Sequence, residues 1–430
     1  MAMERKQGIK LAWIYALGGT ASGIFSTVPS VLLLYYCTAI LGMSGLAAAT
    51  VIFLPKLFAL LWDPQVGRLF DRAGKFRGGQ ASILGMGAGI VAIGFYLVFS
   101  PPQIQHQSLN VWMFVSYLIL VCGYSMFVVS HLAMPAMIVD DSGIRTTWIS
   151  IRMLLVSVGI LLGASAAPVL TQAFGGGRAG YRIMACILGV TCLCFSLGPL
   201  WVLYRQGPAR FAIAPTYPLW GPLRNAEFRR LLAAYLLLAT ATGATSAAAP
   251  YWVVQLLGRS AADVGIILGT LIMSNMAFIP LWPRLASRIG KVSALRYCAL
   301  AYAASLAAIG MLVALRQPWP SIIVAFGALG ISFAGLQVLP FALLADFAHR
   351  QSRAGATGEG AISGIWAATE KAGLGVGPAL IGLLLQLNGQ RVDVTFMAWV
   401  SILCAVLTIG PALFLHFPSN YGGDVTLSAR

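Results

Sequence analysis

The strongest constraint in this 430-residue chain is a recurrence of apolar stretches about 20 residues long. Each stretch is long enough to cross the hydrocarbon core of a bilayer, which is roughly 30 Å thick. Charged residues make up 9% of the chain, whereas a soluble globular protein carries about 25%. The chain is therefore predicted to be an all-α integral membrane protein. Twelve spans are expected, at about 11–40, 45–68, 80–100, 110–135, 148–172, 181–204, 229–256, 262–283, 294–315, 319–345, 361–386 and 392–416.

The basic residues are distributed unevenly over the loops between these spans. The formal net charge is +16, and most of the 28 lysines and arginines fall in the N-terminal segment and in alternate loops. The positive-inside rule then predicts a multi-pass protein of the plasma (inner) membrane with both termini cytoplasmic. These cations are expected to interact with membrane lipids and not with nucleic acid. The exceptions are Arg178, Arg182, Arg259, Arg316 and Arg391 on the other side, and Lys56, Arg152 and Lys371 in or beside spans.

Motifs that carry catalysis are absent from the sequence. There is no nucleophile elbow, no glycine-rich phosphate loop and no cluster of residues at metal-ligand spacing. The chain is therefore predicted not to be an enzyme and to need no metal or other cofactor. No ATPase module is recognisable either, so any transport would be secondary.

Two loops that lie half a chain apart repeat one pattern. The letters GRLFDRAGK at 67–75 follow the second span, and the letters PRLASRIGK at 283–291 follow the eighth. This repetition predicts two six-helix halves of the same topology, joined by a proline-rich connector. The predicted divisions are an N-terminal bundle at 1–204, a cytoplasmic connector at 205–228, a C-terminal bundle at 229–416 and a cytoplasmic tail at 417–430.

Four charged side chains fall inside predicted spans. Lys56 and Asp63 are two helical turns apart and share one face of the second span. Glu370 and Lys371 are neighbours in the eleventh span and point about 100° apart. A charge at the centre of a spanning helix costs roughly 2.5–3.5 kcal/mol. These residues therefore need partners on other helices or a water-filled cavity, and they indicate a path for a polar solute.

At these residues the chain resembles a known superfamily. The loop pattern of Gly67, Asp71, Arg72, Gly74 and Lys75 resembles the cytoplasmic loop signature of the major facilitator superfamily. Together with the helix before it, this loop is similar to that of the glycoside-pentoside-hexuronide:cation symporters, the melibiose-permease-like group. Further matches, in the same order along the chain, are Tyr35, Tyr36, Thr38, Leu41 and Gly42; Pro135, Arg145, Thr146 and Arg152; and Pro340, Phe341, Ala342, Ala345, Asp346, Gly358, Glu359, Gly360 and Lys371.

The resemblance implies a fold and a gate. The fold is the major facilitator fold, in which twelve transmembrane helices form two six-helix pseudo-symmetric bundles. The loop residues Gly67, Asp71, Arg72, Gly74 and Lys75 would belong to the gate between the halves rather than to the substrate site. Asp71 is expected to accept charge-assisted hydrogen bonds from a helix end or an arginine, and these bonds must break when the cytoplasmic side opens. A basic loop that only sets topology is the alternative.

The resemblance also assigns roles to the charges in the spans. Lys56, Arg152 and Lys371 are expected to bind substrate in the central cavity, with Lys371 facing Asp63 from the other half. Asp63 is expected to carry the coupling proton or cation. The alternative for each of these residues is an ion pair that only holds helices together.

Two aromatic residues complete the predicted substrate-binding site. His131 lies where some relatives carry a different aromatic residue, and it is expected either to contact the substrate or to be a satisfied core histidine. Trp62 lies beside Asp63 and offers a flat face on which a sugar can stack, although tryptophan also packs between membrane helices.

The chain departs from the family at several acidic positions, which bears on the coupling ion. Ala59 stands where the family has a first aspartate, and no acidic residue occurs at Ala21-Ser22-Gly23 or near Phe127. Sodium requires several hard oxygen ligands, so the proton is the expected coupling ion and Na⁺ is disfavoured. Asp63 is the expected proton carrier. Glu370 is a second coupling candidate, with pairing to a neighbouring helix as its alternative.

These observations favour one function and leave two others open. The leading interpretation is a secondary active transporter that moves a sugar, glycoside or similar polar organic solute by alternating access, as a proton-coupled symporter that works as a monomer. A transporter of an amphipathic, lipid-like solute such as a lysophospholipid is the first alternative. A non-transporting membrane sensor that has lost coupling is the second, and Ala59 is the observation in its favour.

Overall fold

The computed structural model describes residues 2–76, 78–103, 105–206, 220–259, 261–354, 358–388, 391 and 393–414. These residues form long helices joined by short turns, and none of them lies in a β-strand. The predicted all-α architecture is confirmed. The helices are α1 (Ala2–Tyr35), α2 (Gly45–Ala73), α3 (Gly79–Phe99), α4 (His106–Ile138), α5 (Ser142–Ala173), α6 (Gly177–Gln206), α7 (Ala226–Pro250), α8 (Ala261–Phe278), α9 (Leu281–Ile289), α10 (Lys291–Ala314), α11 (Trp319–Arg353), α12 (Glu359–Leu387) and α13 (Val394–Phe414).

Each of the twelve predicted spans coincides with a helix, and the eighth is broken in two. Helices α8 and α9 meet at a bend of 52° and together form one span. Among the residues that the structure describes, nine other helices are long and apolar enough to cross a bilayer.

Capping side chains determine where several helices begin. The Ser44 hydroxyl accepts a hydrogen bond from the Ala47 amide at the start of α2. Asp141 accepts from the Ile144 amide at 2.7 Å at the start of α5. Each cap satisfies an amide that has no partner inside the first helical turn, which is why short polar residues stand at these boundaries.

The helices group into two compact units. The first unit consists of Met1–Pro222 together with Ala345–Ala368, and the second consists of Leu223–Leu344 together with Thr369–Arg430. The segment 345–368, which contains the end of α11 and the beginning of α12, is thus grouped with the N-terminal helices. The sequence had placed this segment in the C-terminal bundle at 229–416, and that domain division stays a prediction.

Glycines allow close helix contacts in both units. In the first unit, Gly23 of α1 and Gly159 of α5 leave no room for a side chain, because a Cβ on either would collide with the backbone of the other helix. In the second unit, Gly373 and Gly377 of α12 pack against α7, whereas the space around Gly375 is open. A small-residue interface of this kind replaces the hydrophobic driving force that helices lack inside a membrane.

The contact between α12 and α7 makes a testable prediction about stability. A Cβ on Gly377 would lie 2.5 Å from the Thr240 carbonyl oxygen, so Gly377→Leu must push the helices apart. We expect this overpacking to cost about 1–3 kcal/mol and to lower the thermal unfolding temperature of the purified protein in detergent. Gly375→Leu is the matched control, because no atom lies within 4 Å of a Cβ at that position. Equal unfolding temperatures for the two variants would contradict the packing.

Candidate functional site

Asp63 lies in the interior of the first unit. Its exposed fraction is 0%, as is that of Ala59 one turn earlier on the same face of α2. Lys56, two turns from Asp63 on this face, is exposed. Helix α2 therefore carries its acidic side chain into the protein interior while its lysine stays accessible.

Helix α2 crosses the beginning of α12 through three glycines. Gly67 of α2 lies against Gly360 of α12, and a Cβ on either residue would collide with the carbonyl oxygen of the other. One turn deeper, Gly364 packs on the backbone of Asp63, and a Cβ there would lie 3.0 Å from Cα of Pro64. The first turns of α12 therefore pack directly on the part of α2 that contains Asp63.

Asp71 holds the N-terminus of α12 at the end of this crossing. Its Oδ1 accepts a hydrogen bond from the Gly360 amide at 2.8 Å, and its Oδ2 accepts one from the Ala361 amide at 2.9 Å. These amides belong to the first turn, where helical N–H groups lack partners and the helix dipole favours a negative charge. Asp71 thus makes the contact to a helix end that the sequence predicted, and its role in gating stays a prediction.

The remaining predicted gate residues surround this cap. The Gly74 amide donates to the Phe70 and Asp71 carbonyl oxygens and ends α2. Arg72 and Lys75 are exposed. The structure therefore gives Gly67 and Asp71 contacts with α12, while Arg72 and Lys75 extend toward solvent or membrane.

A second polar contact fastens the end of α11 to α5. The Arg145 Nε donates to Asp346 Oδ1 at 3.0 Å, and the Ser142 hydroxyl donates to the same carboxylate at 3.0 Å. Arg145 also donates to the Val139 carbonyl oxygen at 2.7 Å. The two charged side chains are 4% and 7% exposed, so they form a buried pair. Removing one partner of such a pair typically costs about 3–5 kcal/mol, because the other charge stays buried.

The last turn of α11 adds a further contact with the loop between α4 and α5. The His349 Nδ1 donates to the Ala136 carbonyl oxygen at 2.7 Å. Asp140 lies 3.6 Å from the His349 Nε2 and 3.9 Å from an Arg353 nitrogen. The segment 345–368 is therefore held at both of its helical ends by polar groups of α2, α4 and α5.

His131 and Arg152 meet in a buried cluster between α1, α4 and α5. The His131 Nε2 donates to the Tyr15 carbonyl oxygen at 2.9 Å, and its Nδ1 accepts from the Arg152 Nε at 3.4 Å. The rings of Tyr15 and His131 are 4.5 Å apart. Both imidazole nitrogens thus have protein partners, as in a structural core histidine. Contact of His131 and Arg152 with substrate stays a prediction.

Trp62 bridges two helices of the same unit. Its indole Nε1 donates to the Cys122 carbonyl oxygen of α4 at 3.3 Å, and its ring lies 6.1 Å from that of Phe58. The side chain is partly buried. One edge of the indole therefore contacts other parts of the protein. Stacking of a sugar on the remaining surface of the ring stays a prediction.

Glu370 and Lys371 lie in the second unit and are half-buried. The predicted coupling role of Glu370 and the predicted substrate contact of Lys371 therefore stay predictions.

The sequence did not indicate how segment 345–368 is held. The resemblance to the symporter family includes Arg145, Asp346 and Gly360 but assigns no role to them. It does not include Gly364. The available signal was the spacing of Gly360 and Gly364, which is one helical turn and is typical of close helix contacts.

Comparison with known proteins identifies the family. Residues 14–417 match the sequence model described as MFS/sugar transport protein. The putative glycoside/cation symporter YagG of Escherichia coli (strain K12) is 26% identical over 388 residues, which cover 86% of this chain and 81% of that protein. The glucuronide carrier protein homolog of the same strain is 25% identical over 393 residues, which cover 87% of this chain and 83% of that protein.

Solved structures show the same fold. The proton:xylose symporter XylE bound to 6-bromo-6-deoxy-D-glucose superposes with a TM-score of 0.72 at 14% identity, over 95% of this chain and 94% of that chain. A bacterial homologue of the iron transporter ferroportin, in an outward-facing state, gives a TM-score of 0.68 at 14% identity over 94% and 98% of the two chains. The predicted major facilitator fold is therefore confirmed, and the chain belongs to the MFS/sugar transport protein family, whose members are multi-pass membrane transporters rather than enzymes.

Proposed function

We propose that this protein is a proton-coupled symporter that moves a sugar, a glycoside or a similar polar organic solute by alternating access. The observation that carries the proposal is the arrangement of α2, which holds a fully buried Asp63 and the capping Asp71 against one short segment of α11 and α12. Coupling of a proton to a gate requires an acidic residue within the membrane, next to a helix contact that can open.

The gate in this proposal is the contact of α2 with the first turns of α12. Glycine crossings bring backbones close without interlocking side chains, so they can separate without repacking a core. Two polar contacts add directional hydrogen bonds, namely the cap by Asp71 and the ion pair of Arg145 with Asp346. In each contact the hydrogen bonds break together. The gate therefore has two discrete arrangements, closed as in this structure and open with segment 345–368 withdrawn.

Asp63 is the proposed proton carrier because its environment depends on the gate. In this structure the carboxyl is fully buried, and Gly364 of α12 packs on its backbone. Withdrawal of Gly364 would expose the backbone of Asp63 and the space beside it. The access of Asp63 to water would then change with the gate, and this change would couple proton and gate. Glu370 is the second proposed coupling residue.

The proposed solute class rests on the relatives and on the charges in the spans. Two of the relatives are named as a putative glycoside/cation symporter and a glucuronide carrier protein homolog. Lys56, Arg152 and Lys371 supply cationic donors that suit sugar hydroxyls or a uronate carboxylate, with Trp62 and His131 as proposed aromatic contacts. Methyl β-D-glucuronide and methyl β-D-glucoside are therefore the probes of choice. We propose that the transporter acts as a monomer in the inner membrane with both termini cytoplasmic.

Asp63→Asn tests the coupling. Purified protein in liposomes should accumulate one of the two labelled glycosides when the outside is acidic, because one proton moving down one pH unit releases about 1.4 kcal/mol, enough for about tenfold accumulation. The variant should lose this accumulation and keep exchange of labelled for unlabelled solute, since binding and gate movement remain. The measurements are uptake with and without the pH gradient, and counterflow.

Asp263→Asn is the matched control for Asp63→Asn. Asp263 belongs to the second unit and pairs at 3.3 Å with Arg259, four residues earlier in the chain, so its loss should leave accumulation unchanged. Gradient-driven accumulation by Asp63→Asn would contradict the coupling role. Accumulation of a lysophospholipid, with neither glycoside transported, would favour the lipid-like solute. Absence of transport for all three probes would favour the sensor.

Asp71→Ala tests the cap of α12. Ala361 is 1% exposed, so a cysteine placed there should react slowly with a water-soluble maleimide while the gate is closed. Replacing a capping side chain by alanine costs about 0.5–2 kcal/mol, so Asp71→Ala should speed labelling of Ala361→Cys roughly 2- to 30-fold. Labelling of that peptide is followed by mass spectrometry, which separates it from the native cysteines.

Asp141→Ala provides the comparison for the cap. Asp141 caps α5 through the Ile144 amide, so the substitution removes an equivalent cap from another helix. Labelling at Ala361→Cys should stay at the parental rate in this variant. A parental rate in Asp71→Ala would show that the cap does not hold the segment.

A further inference from the structure

A groove opens between α3 and α6 in the first unit, at the end where α6 finishes. Its volume is about 750 Å³. One wall consists of small residues at and near the start of α3, among them Gly78, Ala81 and Gly85, and the other wall is formed by Leu200, Trp201 and Tyr204 of α6. No residue of α2 or of the α2–α12 crossing lines this groove among the described residues, so it is separate from the candidate site above.

The shape of the groove follows from where the two helices touch. Toward the opposite end they are in close contact, since a Cβ on Gly189 would lie 3.0 Å from the Ala92 carbonyl oxygen. Near the groove the glycines of α3 carry no side chain to fill the gap, and a Cβ on Gly85 would meet Leu200 Cδ1 at 3.2 Å. The result is a narrow, apolar trough that widens toward the loops.

The mouth of the trough is cationic and aromatic. The Arg205 guanidinium lies 4.4 Å above the ring of Trp201, which fixes a positive charge at the entrance. Lys75, three residues before Gly78 in the sequence, is also exposed. Tyr204 is 73% exposed, and tryptophan and tyrosine are typical of the level at which lipid headgroups meet hydrocarbon.

We propose that this groove binds an anionic glycerophospholipid from the adjacent leaflet. One acyl chain lies in the trough along the contact of Gly85 with Leu200, and the phosphate lies at the entrance beside Arg205. The apolar walls suit a hydrocarbon chain, which any lipid supplies, whereas the fixed guanidinium favours a lipid with net negative charge. A protein partner is disfavoured, because α3 and α6 are both long and apolar enough to cross a bilayer and the exposed Trp201 and Tyr204 are residue types typical of headgroup level.

Native mass spectrometry of the delipidated, full-length protein tests the proposal. The protein is titrated with dioleoyl phosphatidylglycerol or dioleoyl phosphatidylcholine, and tightly retained lipids are counted. We expect one phosphatidylglycerol to be retained in preference to phosphatidylcholine. Arg205→Gln should weaken this binding about fivefold, since each cation near anionic lipid contributes about that factor. Gly85→Leu should remove the retained lipid by filling the trough.

Matched controls exist on the same two helices. Gly89→Leu adds an equal side chain to α3 at a position with no atom within 4 Å of its Cβ, and Arg182→Gln removes a charge from the other end of α6. Both should retain the lipid as the parent does. Equal retention of the two lipids by the parent would overturn the proposal. So would a Gly85→Leu or Arg205→Gln protein that binds like its control. If Gly85→Leu does not fold, the two arginine variants decide.

Discussion

The contact of the Asp71 carboxylate with the first turn of α12 is the interaction on which the rest of the arrangement depends. It fixes the amides of Gly360 and Ala361, and thereby holds Gly360 against Gly67 and Gly364 against the backbone of Asp63. Asp63 itself is fully buried, and α12 packs on its backbone. If the cap released α12, the acid that we propose as the proton carrier would face a different environment.

The energies of these contacts suit a gate that must open in every cycle. A helix cap is worth about 0.5–2 kcal/mol, and breaking a buried ion pair such as Arg145–Asp346 costs about 3–5 kcal/mol when one charge is left buried. Shifting a two-state equilibrium from about 1:99 to about 99:1 requires a ligand that binds one state about 5.5 kcal/mol more favourably than the other. The contacts that hold segment 345–368 are therefore strong enough to define a closed state and weak enough to be broken and remade in each cycle of the proposed gate.

Local patterns predicted the fold and several site residues, and they failed where distant segments pack together. The length of the apolar stretches predicted the twelve spans. Asp63 in α2 stood out because a charge inside a spanning helix has a high free-energy cost. The grouping of 345–368 with the N-terminal helices was not predictable, because Asp71 and Gly360 are distant in sequence and the contact depends on two glycines fitting one another. The two partners of His131 lie on other helices and are unpredictable for the same reason.

The most direct test of this account is amide hydrogen exchange at Gly360 and Ala361 in the unmodified protein. Both amides donate to Asp71, so exchange reports whether α12 is held on α2. We predict slow exchange in the resting protein in liposomes and clearly faster exchange during turnover with a transported glycoside and a pH gradient. Exchange that is fast at rest, or equally slow with and without turnover, would contradict the proposal that this contact is the gate.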